Sequence, residues 1–111
     1  MAPGEYLSHL KFLRDDFSDE IPEKILHSPE GQQPYKVRKS WFQGVIADAA
    51  SVIHYGYATD RTKKRFEEFV KYYKSSDPIK RLTTKEGIDK ANSLLTSLIC
   101  DLEKICGLDS D

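Results

Sequence analysis

The sequence predicts a single all-α domain, a small helical bundle of four main helices plus one or two short helices. Apolar side chains recur every three or four residues along most of the chain, which is the period of a helix with one buried face. No segment alternates apolar and polar residues as a half-buried strand would. With 111 residues, of which 39% are hydrophobic, the chain can build one core. We therefore assign residues 1–111 to one helical domain.

The first helix is predicted over Gly4–Phe17. Its apolar face carries Tyr6, Leu10, Leu13 and Phe17, with Leu7 at its edge. Ser18 to Glu20 should end this helix and cap a short second one, in which Pro22 is tolerated in the first turn. The stretch from about 28 to 37 contains Gly31, Gln32, Gln33 and Pro34 and has no apolar period. It is therefore predicted to be a short exposed loop.

The third helix is predicted over Arg38–Tyr55. Two adjoining rows of apolar residues give it a broad apolar arc, and Asp48 is the one charged residue between Trp41 and Ile53. A helix with so few charges is expected at the centre of a bundle. Gly56 should mark its end.

The fourth helix should begin at Thr59 or Asp60, since either side chain can cap it. Its inward residues are predicted to be Phe66, Phe69, Val70 and Tyr73. Ser75 to Pro78 should break it, with Pro78 in the first turn of a new segment.

The last helix has the clearest pattern. Thr83 and Glu86 have the spacing of a capping box. The apolar seam that follows consists of Ile88, Ala91, Leu95, Leu98, Leu102 and Ile105, flanked by Leu94 and Ile99. A seam this wide favours packing against two neighbours, so we expect this helix at the centre of the bundle too. Gly107 should end it.

Charge is balanced in total and uneven in position. The chain has 17 basic and 18 acidic residues, a formal net charge of −1. Residues 1–34 hold 3 basic and 7 acidic side chains, residues 35–81 hold 11 and 5, and residues 82–111 hold 3 and 6. A basic middle between acidic ends can recognise an acidic partner or further copies of the chain.

The predicted partner-binding surface combines basic and aromatic residues from this middle region, because tyrosine and arginine concentrate at interaction hot spots. The candidates are Tyr35, Arg38, Lys39, Tyr57, Arg61, Lys63, Lys64, Arg65 and Tyr72. Two alternatives stay open. Lys63 and Lys64 each have a glutamate four residues later, which is typical of an ordinary solvated helix face. The same cations could also contact the phosphates of a nucleic acid, although domains that do so are usually basic overall.

No constellation typical of catalysis or metal binding is found. The sequence lacks a Gly-x-Ser-x-Gly elbow, a phosphate-binding glycine loop and a Cys-x-x-Cys motif. The acidic group between Asp15 and Glu23, with His27 after it, lacks the repeated ligand pairs of helical metal sites. His54 is more typical of a histidine stabilised at a helix C-terminus. We expect no enzyme activity, no cofactor and no metal.

Residues 55–70 resemble a stretch in some prokaryotic HEPN-type helical ribonuclease domains. The run reads Tyr-Gly-Tyr-Ala-Thr-Asp-Arg-Thr-Lys-Lys-Arg-Phe-Glu-Glu-Phe-Val. Those domains carry an arginine followed four to six residues later by a histidine, and no histidine of this chain has an arginine at that distance upstream. The resemblance covers less than a sixth of the chain and implies at most a catalytically inactive helical relative.

The sequence favours a non-enzymatic helical interaction module: an adaptor, inhibitor or complex subunit that binds another protein. A homo-oligomer and a nucleic-acid-binding protein are the alternatives. No run of about 18 apolar residues could cross a bilayer, and the first residues lack the pattern of a secretory signal. We therefore expect a cytoplasmic location and no membrane partner.

Overall fold

A computed structural model of the protein describes residues 2–16 and 29–107. Within these ranges the backbone forms five helices and no strand, which confirms the predicted all-α class. The helices are α1 (Pro3–Asp16), α2 (Pro29–His54), α3 (Asp60–Ser75), α4 (Pro78–Thr83) and α5 (Lys85–Ile105). No helix in the described ranges has the length and hydropathy needed to span a membrane. The short helix predicted after residue 18 lies outside the described residues.

The four long helices run alternately up and down. The indole N–H of Trp41, in the first half of α2, donates to the carbonyl of Leu13 in the second half of α1 at 2.6 Å. Tyr6, near the start of α1, packs near Tyr57, just after the end of α2, so α1 and α2 are antiparallel. Thr59, directly before α3, contacts Asp101 near the end of α5, so α3 and α5 are antiparallel as well. Both α2 and α5 touch all four other helices, which confirms that the predicted third and last helices form the centre of the bundle.

One contiguous core takes side chains from all five helices. Its members without exposed surface include Leu10, Phe42, Val45, Val52, Leu95, Leu98 and Leu102. Burial of each large aliphatic side chain contributes about 1.5–3 kcal/mol. The predicted α5 seam holds as far as Leu102, but Ile105 is 49% exposed, because it lies in the last turn at the end of the bundle. On α3, Phe69 is buried, whereas Phe66, Val70 and Tyr73 are half-buried.

The loop predicted over about 28–37 is wrong, because α2 already begins at Pro29. A missing apolar period argues against a buried face, not against a helix, and Glu, Gln, Tyr and Lys all have adequate helix propensity. Pro29 stands in the first turn, where its fixed φ is compatible with a helix and no backbone N–H is needed. The predicted start at Arg38 was therefore nine residues late.

The helix ends follow local chemistry closely. Thr59 caps α3 by accepting from the N–H of Thr62, and Asp77 caps α4 by accepting from Ile79 and Lys80. The predicted cap of α5 is wrong by one residue. Thr84 accepts from the N–H of Gly87 at 3.4 Å, because α4 continues through Thr83, whose hydroxyl donates to the carbonyl of Ile79.

The turn between α2 and α3 brings Tyr57 to the end of the bundle. Gly56 has a φ of +78°, the left-handed conformation that favours glycine after a helix. The N–H of Tyr57 then donates to the carbonyl of Val52 at 3.0 Å. The predicted stop at Gly56 is thus confirmed, and Gly107 (φ +73°) has the same role after α5.

Candidate functional site

The predicted basic residues do not share one face. Arg38 is only 4% exposed, and its guanidinium carbon lies 5.8 Å from the centre of the Trp41 ring. It precedes Trp41 by one helical turn, so both side chains lie on the buried side of α2. Arg38 is therefore a buried residue with little surface for a partner, which corrects its predicted place on the binding surface. Lys39 is exposed, and Tyr35 is half-buried against the core.

On α3, the basic residues point in different directions. Lys63 and Lys64 are exposed, and the amine of Lys63 lies 3.9 Å from the carboxylate of Asp60. Arg61 and Arg65 are directed toward α5, where both line the same cavity. The residues predicted on α3 thus divide into two pairs. Lys63 and Lys64 lie away from the cavity, whereas Arg61 and Arg65 line it on the side of α5.

A cavity of about 470 Å³, here called the central pocket, lies between the first half of α3 and the second half of α5. Its lining consists of Thr59, Arg61, Thr62, Arg65, Thr96, Ser97, Cys100, Asp101 and Lys104. Three of these side chains are cations, four carry hydroxyl groups, and one is a carboxylate. The arrangement offers many hydrogen-bond donors and an excess of positive charge, which suits an anionic group.

Contacts between the two helices fix the walls of the central pocket. Arg65 donates from a guanidinium nitrogen to the hydroxyl of Ser97. Asp101 is 8% exposed, and one of its oxygens accepts from the backbone N–H of Thr59 at 3.1 Å and lies 3.3 Å from the Thr59 hydroxyl. Since Thr59 also caps α3, Asp101 holds the start of α3 against α5.

The pocket continues toward the start of α5. A second cavity of about 130 Å³, the small pocket, is lined by Arg65, Glu68, Phe69, Lys90, Ser93 and Leu94. Arg65 belongs to both cavities, so they are neighbours along the same two helices. The amine of Lys90 lies 4.9 Å from the centre of the Tyr72 ring, a cation–π distance. Tyr72, a predicted binding residue, is half-buried, and its hydroxyl has no hydrogen-bond partner among the described residues.

At its opposite end the central pocket adjoins the turn between α2 and α3, which carries Tyr55 and Tyr57. A third cavity of about 210 Å³, the end pocket, is lined by Gly56, Tyr57, Ala58, Thr59, Asp101, Lys104 and Ile105. Tyr57 is half-buried, and its ring stacks on that of Tyr55 with 6.0 Å between the centroids. Tyr55 itself is 54% exposed. Thr59, Asp101 and Lys104 line both this cavity and the central pocket, so the three cavities are neighbours along α3 and α5. Together they are called the α3–α5 groove.

The α3–α5 groove brings together Tyr57, Arg61 and Arg65 of the predicted residues, with Tyr72 next to it, and leaves out Tyr35, Arg38, Lys39, Lys63 and Lys64. Sequence reasoning missed the α5 wall, chiefly Thr96, Ser97, Asp101 and Lys104. A signal existed for Asp101, because it directly precedes the buried Leu102 in the apolar seam, where a carboxylate needs a partner.

Within the described ranges, no group of three or more His, Cys, Asp or Glu side chains is placed to hold a metal ion. Cys100 and Cys106 are both free thiols. Comparison with protein-family models, with curated proteins and with solved structures finds no match for this chain. Function is therefore inferred from the groove alone.

Proposed function

We propose that the protein is a non-enzymatic interaction module that binds an acidic segment of another protein in the α3–α5 groove. The observation that carries this proposal is the placing of Arg61, Arg65 and Lys104 around one hydroxyl-lined pocket between two packed helices. Cations placed together on two packed helices attract an anionic partner and fix its position.

The length of the groove suits an extended peptide segment. Along α5 its lining runs from Lys90 to Ile105. At a rise of 1.5 Å per residue, this distance is about 22 Å. An extended chain advances about 3.3 Å per residue, so about seven residues span the row of three cavities and cross the Arg65–Ser97 contact between two of them. Its hydroxyl groups could exchange hydrogen bonds with the peptide backbone as well as with side chains.

The charges of the groove favour acidic side chains over a nucleic-acid backbone. Arg61, Arg65, Lys90 and Lys104 stand against Glu68 and Asp101. This balance attracts isolated carboxylates, but the two acidic side chains would repel a continuous row of phosphates. The chain as a whole has a formal net charge of −1, which also differs from the basic footprint of nucleic-acid-binding domains.

A pair of double charge reversals tests this proposal. The groove variant is Arg61→Glu with Lys104→Glu, and the control is Lys63→Glu with Lys64→Glu. All four side chains are exposed, and both variants change the net charge equally. We expect the groove variant to bind a fluorescently labelled Asp/Glu-rich peptide at least about tenfold more weakly, and the control to change affinity by less than about threefold.

Fluorescence anisotropy at low and moderate salt measures the affinity of the unchanged protein and of both variants for the peptide. The same measurement with a labelled single-stranded oligonucleotide tests the nucleic-acid alternative. Equal losses in the groove variant and the control would show a diffuse charge effect and contradict the proposal. Tighter binding of the oligonucleotide, with a steeper dependence on salt, would replace it with the nucleic-acid alternative.

A further inference from the structure

We infer that the central pocket is a binding site for a phosphoryl group, so that the acidic segment bound by the groove is a phosphorylated one. This inference rests on the proposed function and specifies its ligand. It concerns Arg61, Arg65 and Lys104 together with the hydroxyl groups of Thr96 and Ser97, all of which line one cavity.

The donor set of the pocket matches a phosphoryl group better than a carboxylate. A phosphate monoester presents three strong acceptor oxygens at tetrahedral angles, whereas a carboxylate presents two in a plane. Around the central pocket, three cationic side chains are accompanied by the α5 hydroxyl groups of Thr96 and Ser97. One acidic side chain would leave much of this donor set unused.

The net charge of the pocket points the same way. Its lining holds three cations and the single carboxylate of Asp101, an excess of two positive charges. A phosphorylated serine or threonine carries a charge of about −1.5 to −2 at neutral pH, against −1 for a glutamate. One phosphoryl group therefore neutralises the pocket, and one carboxylate does not.

The position of Asp101 reduces its conflict with a bound phosphate. One of its oxygens faces Thr59, where it accepts from the backbone N–H and contacts the hydroxyl. This carboxylate thus binds the protein itself, at the end of the pocket that adjoins the turn before α3. Arg65 lies between the central and small pockets, and its contact with the Ser97 hydroxyl restricts its side chain. It would therefore lose less side-chain freedom when it binds a phosphate.

Three peptides of equal length test the inference. Each has the same acidic sequence, with phosphoserine, glutamate or serine at the centre. Isothermal titration calorimetry on the full chain is expected to show the phosphoserine peptide binding about tenfold more tightly than the glutamate peptide, since each added charge-assisted hydrogen bond is worth roughly a factor of ten. The serine peptide should bind most weakly.

Thr96→Val provides the variant, because it removes one hydroxyl from an exposed, β-branched position without changing its shape. It should weaken the phosphoserine peptide several-fold more than it weakens the glutamate peptide. As a second readout, inorganic phosphate should shift the amide NMR signals of Thr62 and Ser97 in a saturable way, and the Arg61→Glu, Lys104→Glu variant should abolish these shifts.

The outcomes separate the two proposals. Equal affinity for the phosphoserine and glutamate peptides would overturn the phosphoryl inference and leave the proposed function standing. Saturable binding of inorganic phosphate, with none of the three peptides bound, would overturn the proposed function and the phosphorylated segment, and would assign the pocket to a small phosphate-bearing molecule. If neither the peptides nor inorganic phosphate binds, the pocket is not an anion site and both proposals are wrong.

Discussion

Single side chains connect the bundle to its groove, and Asp101 is the most informative of them. It is a mostly buried carboxylate whose contacts to Thr59 join α5 to the start of α3. Asp101→Ala would leave the N–H of Thr59 without an acceptor, whereas its hydroxyl keeps the Thr62 hydroxyl at 3.1 Å. We expect the free energy of unfolding to fall by about 1–3 kcal/mol, the cost of leaving partly buried polar groups unsatisfied. Urea denaturation of both proteins measures the difference.

Asp89→Ala is the matched control, because Asp89 is an exposed carboxylate on the same helix. Its removal should change the free energy of unfolding by less than about 0.5 kcal/mol. If both variants lose the same amount, loss of negative charge from α5 explains the result, and the contact with Thr59 contributes nothing of its own.

For single residues, the sequence predicts helix caps better than contacts between helices. Thr59 was recognisable as a cap because the rule depends on residues three positions apart. Its contact with Asp101 spans 42 positions and depends on how α3 packs on α5. Arg38 was misplaced for a simpler reason. Arg38, Trp41 and Val45 follow helical spacing, so the phase of α2 indicates a buried arginine, whereas residue type alone favours an exposed one.

Among the elements, the short helix α4 meets α5 at an unusually close contact. A Cβ atom built on Gly87 would lie 2.1 Å from the carbonyl oxygen of Arg81, which is backbone and cannot move aside cheaply. Alanine favours a helix over glycine by about 1 kcal/mol, yet overpacking of this kind costs about 1–3 kcal/mol. We expect Gly87→Ala to be destabilising, with a lowered midpoint of thermal unfolding.

Gly4→Ala serves as the comparison, since a Cβ atom there meets nothing within 4 Å and the residue lies in α1. This change should be neutral or stabilising by up to about 1 kcal/mol. Stabilisation by both substitutions would mean that α4 and α5 are not in close contact at Gly87, and that helix propensity alone decides the effect.

The strength of the apolar period determined which elements could be predicted. The predicted first helix begins one residue after Pro3, and α5 has both its start and its stop near the predicted places. The start of α2 was missed because its first turns have no apolar period, and periodicity reports burial, not helix formation. Likewise, a groove depends on the angle and spacing of two packed helices, which no local pattern encodes.

For the whole molecule, the shared core implies that the bundle unfolds as one unit. Even the six-residue α4 contributes a wholly buried side chain, Leu82, to the same cluster as Trp41 on α2. Trp41 is the only tryptophan of the chain, so its fluorescence reports on α2 while circular dichroism reports on all helices. The two signals should give coincident urea transitions, as expected for a two-state domain of this size.

Leu82→Ala tests whether the bundle unfolds as one unit, because it creates a cavity at one edge of the shared core. We expect a loss of about 2–5 kcal/mol, with both transitions shifted together. Ile79→Ala, at an exposed position of the same short helix, should cost less than about 1 kcal/mol. Transitions that separate in the Leu82 variant would show that the helices around Trp41 and the rest of the bundle do not open together. In that case the groove would not have the fixed walls on which recognition of an acidic segment depends.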